Sequence, residues 1–227
     1  MACRAKRWRR PEHAERTRNA VSTALDDAAE NNIGFVIVFA GYDTGEASTI
    51  QYQRIVDGYL DDSSGESLVA KAERLKVKLI IEMLNTKGDD ETWRGHSGYL
   101  GNSTDELVNH VVKPINSTHF RLAFDIYHVV MMGEDPLKML EAHGEYIAYI
   151  HVAGVMTNED GSPHPQNRGE LDLDGQAIDY PVVMAAAKHV PKGTFCLIEY
   201  IPEPENPDQV EKDLRTARDL CEQNINN

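Results

Sequence analysis

Cysteine is scarce in this chain, with three among 227 residues. Cys3, Cys196 and Cys221 match no zinc-ligand or disulfide-exchange spacing. We therefore expect reduced thiols and a cytoplasmic location. No apolar run approaches the roughly 20 residues that a membrane-spanning helix needs, and no apolar segment follows the basic N-terminus as it would in a secretory signal peptide.

Basic residues are also in the minority, because 23 Lys and Arg face 37 Asp and Glu, for a formal net charge of −14. Nucleic acids and anionic membranes are bound by clustered Lys and Arg, so the charge argues against both partners. No G-x-G-x-x-G fingerprint follows a strand-like run, and we expect no nucleotide cofactor. A surplus of carboxylates suits a soluble protein that holds a cation.

Short apolar runs alternate with helix-like segments along the chain. The predicted strands are 34–41, 77–84, 119–125, 146–154 and 193–200. The predicted helices are 11–32, 50–60, 66–75, 103–115, 135–143, 180–190 and 206–224. Continuous apolar runs are typical of parallel strands that are covered on both faces, so the fold class is α/β. An open doubly wound sheet and a (β/α) barrel are both candidates, in one domain of residues 1–227.

Four consecutive strands each end on a side chain that can bind a metal. These side chains are Glu82, Asp125, His151 and Glu199. A single acidic residue after an apolar run is usually a helix cap or a loop residue, but four in series are hard to explain in that way. The C-terminal ends of barrel strands converge on one face, where carboxylates without a cation would repel each other. Three carboxylates and one imidazole favour Mg²⁺ or Mn²⁺, and Co²⁺ or Zn²⁺ less specifically.

Two more polar residues follow these strands. His128 lies three residues after Asp125; alone it would be a surface or capping residue, but beside a metal it is a candidate to bind a substrate oxygen. Arg168 follows the His151 strand on a predicted long polar loop. There it could orient an anionic or polyhydroxylated substrate, although a lone Arg is more often solvated.

Five stretches of the chain resemble the hydroxypyruvate isomerase family, within the xylose isomerase-like TIM-barrel superfamily of sugar isomerases and epimerases. These stretches are LIIEMLNTKGD, FDIYHVVMMGED, YIHVAGV, NRGELDLDGQAIDYP and LIEYIP. The resemblance implies a TIM-type (β/α) barrel with a divalent metal. The implied ligands are Glu82, Asp125, His151 and Glu199. It also implies that Glu82 and Glu199 form the acid/base pair, and that His128 and Arg168 contact substrate oxygens.

The chain departs from the family pattern in three places. Hydroxypyruvate isomerases commonly have Gln where His151 stands, whereas His is typical of the ketose epimerases. Gly154 replaces an acidic residue that is common in the isomerases. Family members begin with two further strands and a helix before the segment that matches 11–32, so we expect a barrel that lacks its first strands. Such a barrel exposes two sheet edges, which leaves pairing with a second copy, as a homo-oligomer, open.

The expected activity is isomerisation of a small hydroxy-carbonyl substrate through an enediolate, with hydroxypyruvate to tartronate semialdehyde as the first choice. A ketose 3-epimerase is the second choice. A metal nuclease of the endonuclease IV type would need a His-rich multi-zinc site and a basic face, which this acidic sequence does not offer. The alternative from another class is a non-catalytic truncated barrel that binds metal or sugar.

Overall fold

The structure is a computed structural model that describes residues 11–87, 95–168, 176–198, 211–212, 214–216 and 218–219. Side-chain positions are described for these residues except 11–13, 164–168 and 198. The chain divides into a first unit, residues 1–83 and 98–123, and a second unit, residues 84–97 and 124–227.

Strands alternate with helices along most of the chain. The strands are β1 (Phe35–Phe39), β2 (Lys78–Glu82), β3 (Phe120–Asp125), β4 (Ile147–Val152), β5 (Val155–Thr157), β6 (Pro163–Arg168) and β7 (Phe195–Ile198). The strands β1, β2, β3, β4 and β7 alternate with helices, and the two further strands, β5 and β6, lie between β4 and the next helix. The helices are α1 (Pro11–Glu30), α2 (Ser48–Leu60), α3 (Leu68–Leu75), α4 (Thr104–Leu107, a π turn Val108–Val112, and Lys113–Ile115), α5 (Ile126–Met131), α6 (Pro136–His143) and α7 (Tyr180–Ala185). Short 3₁₀ turns, Gly144–Tyr146 and Ala186–His189, follow α6 and α7. Residues 211–212, 214–216 and 218–219 are also helical.

The first unit holds the sheet order β1-β2-β3, with parallel pairing throughout. The register aligns Phe39 with Glu82 and Glu82 with Ala123. Helix α1 packs against β1, α2 and α3, and α3 packs against β2. Val and Ile dominate β1 and β2 because their branched side chains fit a pleated sheet that is covered by helices. Leu79, Ile80 and Ile81 are fully buried in consequence.

In the second unit β4 pairs parallel with β7, and His151 of β4 is aligned with Leu197 of β7. Helix α5 packs against β4 and β6, and α6 packs against α7. Asp135 caps α6 by accepting hydrogen bonds from two backbone N–H groups, and Pro136 occupies the first helical position. This cap agrees with the start that the sequence predicts for the helix.

The five strands that the sequence predicts are confirmed as β1, β2, β3, β4 and β7, and the α/β class is confirmed with them. The long polar loop predicted around Arg168 is wrong. Residues Pro163–Arg168 form β6, which pairs antiparallel with β5. Two prolines and several polar residues in this strand resemble a loop, but pairing with β5 satisfies the backbone groups. In the described part of the chain, no helix is long and apolar enough to cross a membrane.

Gly101 provides a test of the packing in the first unit. A Cβ at this position would lie 2.9 Å from Cβ of Ala40 and 3.0 Å from Cε1 of Tyr99. We expect Gly101→Ala to lower the free energy of unfolding by about 1–3 kcal/mol, because the neighbours must move. Urea denaturation measures this change. The control is Gly34→Ala, where a Cβ meets nothing within 4 Å and the change should stay within about 0.5 kcal/mol. Equal free energies of unfolding for the two variants would contradict the close packing of Ala40 and Tyr99 around Gly101.

Candidate active site

Asp125 ends β3 and is the N-cap of α5. Its Oδ1 accepts a hydrogen bond from the backbone N–H of His128 at 3.1 Å, which satisfies a donor in the first turn of the helix. The residue is fully buried, at 0% exposure. The cap occupies only one carboxylate oxygen, so the role of helix cap leaves the role of metal ligand open.

The second oxygen of Asp125 faces two imidazoles. Oδ2 lies 3.4 Å from Nδ1 of His151 and 3.7 Å from Nε2 of His128. Both histidines are buried, at 5% and 1% exposure. Two ligand atoms that each lie about 2.1 Å from one cation are about 3.0–3.4 Å apart at octahedral or tetrahedral angles. The Asp125–His151 pair therefore has a separation that fits two ligands of one ion.

His128 is held by the segment that follows β2. The backbone N–H of Asn85 donates to Nδ1 at 3.1 Å, and the Asn85 amide nitrogen lies 2.6 Å from the same atom. A backbone N–H can only donate, so Nδ1 accepts and the proton of the neutral ring is on Nε2, facing Asp125. His96 supports this arrangement, because its N–H donates to the Asn85 carbonyl at 2.9 Å and its ring lies 5.9 Å from the His128 ring.

Glu82 ends β2 and is 6% exposed. The Tyr99 hydroxyl donates to the backbone carbonyl of Glu82 at 2.9 Å and accepts from the Ala40 N–H at 2.8 Å. Burial raises the pKa of Tyr99 well above its usual value, the hydrogen bond from Ala40 opposes the rise, and the charge of Glu82 adds to it. The phenol therefore stays protonated.

Tyr180, at the start of α7, is a second buried phenol in the second unit. Its hydroxyl donates to the carbonyl of Ala153. Burial raises the pKa of Tyr180, and the charge of Asp125 raises it further.

The structure brings together three of the site residues that the sequence predicts, Asp125, His128 and His151, within the second unit. Glu82 ends β2 in the first unit, aligned with Ala123 of β3. Arg168 ends β6 with its backbone paired to Val155, and its side chain lies outside what the structure describes. Glu199 lies outside the described residues. The ligand and acid/base roles stay predictions.

Sequence reasoning missed three supporting residues, Asn85, Tyr99 and Tyr180. Each makes a hydrogen bond that involves a backbone group: the backbone N–H of Asn85 donates to the His128 ring, and the two tyrosine hydroxyls donate to backbone carbonyls. A hydrogen bond to or from the backbone leaves no residue-type pattern in a sequence. The only available signal was position, because Asn85 follows the β2 strand by three residues.

A family model described as xylose isomerase-like TIM barrel matches residues 7–220. The chain belongs to this family. The superfamily and the barrel-type fold that the five sequence stretches implied are thereby confirmed. Hydroxypyruvate isomerase as the specific activity stays a prediction.

Solved structures show the same fold at low sequence identity. The IolI protein with a bound zinc atom has a TM-score of 0.72 and 17% identity, over 95% of this chain and 73% of that chain. D-psicose 3-epimerase with D-tagatose, from Clostridium cellulolyticum H10, has a TM-score of 0.66 and 14% identity, over 96% of this chain and 73% of that chain. An AP endonuclease of family 2 from Brucella melitensis has a TM-score of 0.62 and 18% identity, over 89% of this chain and 67% of that chain. No curated protein matches the sequence.

The tautomer of His128 is a direct test of the site geometry. We expect long-range ¹H–¹⁵N correlation spectra of the metal-free protein, with the His128 ring neutral, to show a proton on Nε2 and none on Nδ1. The reason is the N–H of Asn85, which occupies Nδ1. His110, an exposed ring stacked on Tyr52, serves as an internal reference and should show the mixture of tautomers that a solvated imidazole has. A proton on Nδ1 of His128 would contradict the arrangement.

Proposed function

We propose that this protein is a divalent-metal-dependent isomerase that converts hydroxypyruvate to tartronate semialdehyde through an enediolate. The observation that carries the proposal is the buried pair of Asp125 and His151, with 3.4 Å between Oδ2 and Nδ1. Family membership supports a sugar isomerase or epimerase as the broader class. We place the enzyme in the cytoplasm, with a small-molecule substrate and no nucleic-acid or membrane partner.

The donor set fits a hard divalent cation. Glu82, Asp125 and His151 are buried and each offers one ligand atom, and we assign Glu199 as the fourth ligand. β2 ends on Glu82, and its register partner Ala123 lies two residues before Asp125 on β3. The C-terminal ends of parallel strands converge on one face, which is the argument for assigning the two carboxylates to one ion. Oxygen ligands with one imidazole favour Mg²⁺ or Mn²⁺ over Zn²⁺ or Co²⁺.

The two glutamates are the acid/base pair in this mechanism. One removes a proton from the carbon beside the substrate carbonyl, and the proton returns to the neighbouring carbon. When bound, the cation supplies Lewis-acid polarisation of the carbonyl and stabilises the negative charge of the enediolate. Burial of Glu82, at 6% exposure, keeps bulk water away from its carboxylate, which strengthens electrostatic interactions there.

His128 and Arg168 bind substrate oxygens in this proposal. Asn85 occupies Nδ1 of His128, so the ring proton is on Nε2. This Nε2–H faces Oδ2 of Asp125, the oxygen that also faces His151. A substrate oxygen beside Asp125 Oδ2 can accept from it. Arg168 ends β6, so its backbone is ordered by the pairing with β5.

A ketose 3-epimerase is the second candidate, and His151 is the observation that favours it. His at this position is typical of the epimerases, which return the proton to the opposite face of the same carbon. A nuclease is disfavoured by the formal net charge of −14. The non-catalytic alternative predicts metal or sugar binding without proton exchange.

Metal binding should stabilise the fold. We expect Mn²⁺ at 100 times its Kd to raise the free energy of unfolding by about 2.7 kcal/mol, because it binds the folded state alone. That gain corresponds to a rise in Tm of roughly 5–10 °C for a chain of this size. The control is Asp125→Asn, which keeps a good N-cap but removes the ligand charge, so Mn²⁺ should leave its Tm unchanged. An equal rise in both proteins would argue that Asp125 is not a ligand.

Solvent-deuterium incorporation measures the proposed chemistry itself. We expect metal-dependent exchange into hydroxypyruvate by NMR, lost by about 10²-fold or more in Glu82→Gln and Glu199→Gln, since neither amide can take a proton. Glu141→Gln, an exposed position on α6, is the matched control and should exchange normally. Tartronate semialdehyde as the product supports the isomerase, and inversion in a ketose panel supports the epimerase. A folded, metal-loaded protein without exchange would support the non-catalytic alternative.

A further inference from the structure

The hydroxyl of Tyr99 joins the ends of two neighbouring strands in the first unit. It accepts a hydrogen bond from the N–H of Ala40, the residue after β1, at 2.8 Å. It lies 2.9 Å from the carbonyl of Glu82, the last residue of β2. An N–H only donates and a carbonyl only accepts, so the single phenolic proton is committed to Glu82.

The segment that carries Tyr99 is itself fixed to the end of β1. The N–H of Asp43 donates to the carbonyl of Gly98 at 2.7 Å, and the N–H of Leu100 donates to the carbonyl of Gly41 at 2.8 Å. These two bonds flank Tyr99, whose ring meets the Tyr42 ring edge-on with 6.5 Å between centroids. The Tyr99 side chain is only 4% exposed. These contacts hold the phenol from both sides, next to the carbonyl of Glu82.

We infer that Tyr99 is a positioning residue for Glu82, an inference that rests on the proposed function. The hydrogen bond to the carbonyl fixes the peptide plane that follows Glu82, and with it the direction of the Cα–Cβ bond that aims the carboxylate. A ligand and proton carrier must be held to within about 0.5 Å. A misplacement of about 1 Å can reduce a rate by about 10²-fold.

Tyr99→Phe tests the inference, with Tyr52→Phe as the matched control. Tyr52 is also a fully buried phenol of the first unit, at 0% exposure. Its hydroxyl lies 2.9 Å from the carbonyl of Leu100 and 2.8 Å from Oε2 of Glu106. Both substitutions remove a buried hydroxyl and strand its partners, but only Tyr99→Phe releases the carbonyl of Glu82. Both are assayed at a temperature where circular dichroism shows each protein folded.

Three quantities are measured on the purified chain: kcat, KM, and the visible absorption spectrum with Co²⁺ bound, which reports on the arrangement of the metal ligands. We expect Tyr99→Phe to lower kcat by about 10-fold or more, to change KM by less than about 3-fold, and to alter the Co²⁺ spectrum. Tyr52→Phe should keep kcat within about 2-fold and leave the spectrum unchanged. Replacement of Tyr99 by 4-aminophenylalanine, which restores an N–H donor at the same place, should recover kcat and the spectrum.

The outcomes separate the inference from the proposed function. Equal kcat values and identical Co²⁺ spectra for Tyr99→Phe and Tyr52→Phe, in an active wild type, overturn the positioning role alone. A wild type that neither binds Co²⁺ nor exchanges substrate protons overturns the proposed function and this inference with it. If Tyr99→Phe does not fold at any temperature, the 4-aminophenylalanine variant decides: wild-type stability with a kcat more than 10-fold lower would also count against the role.

Discussion

The carboxylate of Asp125 is shared between a helix and a candidate site. One oxygen caps α5, and the other faces His128 and His151. A fully buried carboxylate is costly unless its oxygens have partners, so the neighbouring elements must present such partners. β4 presents His151, α5 presents His128, and the segment after β2 holds His128 through Asn85. The carboxylate at the end of β3 therefore constrains the positions of β4, α5 and the segment that follows β2.

The strands were predictable because their signal is local. In the strand Lys78–Glu82, for example, the three central residues are apolar, and the charged residues Lys78 and Glu82 stand at its two ends. The convergence of polar strand ends on one edge followed from parallel pairing, which explains why Asp125 and His151 were found together. Periodicity did not reveal α5, because its six residues, Ile126–Met131, are too few to show a helical repeat.

The supporting contacts were not predictable for a different reason. Asn85, Tyr99 and Tyr180 act on or through backbone groups, which every residue carries, so no pairing of residue types marks them in the sequence. Family membership fixes the fold, while the chemistry and the choice of substrate depend on individual side chains. The resemblance implies that His151 is one such side chain, because it implies Gln in the isomerases and His in the epimerases at this position.

The hairpin of β5 and β6 changes how Arg168 would meet a ligand. A flexible loop must lose backbone entropy each time it closes on a substrate, and that loss weakens binding. The backbone of Arg168 is already ordered by its pairing with Val155, so this entropy is lost once, during folding. Only the side-chain rotamers remain to be restricted by a substrate. An arginine on a strand of this kind selects ligands by a fixed distance, whereas an arginine on a loop adapts to ligands of several lengths.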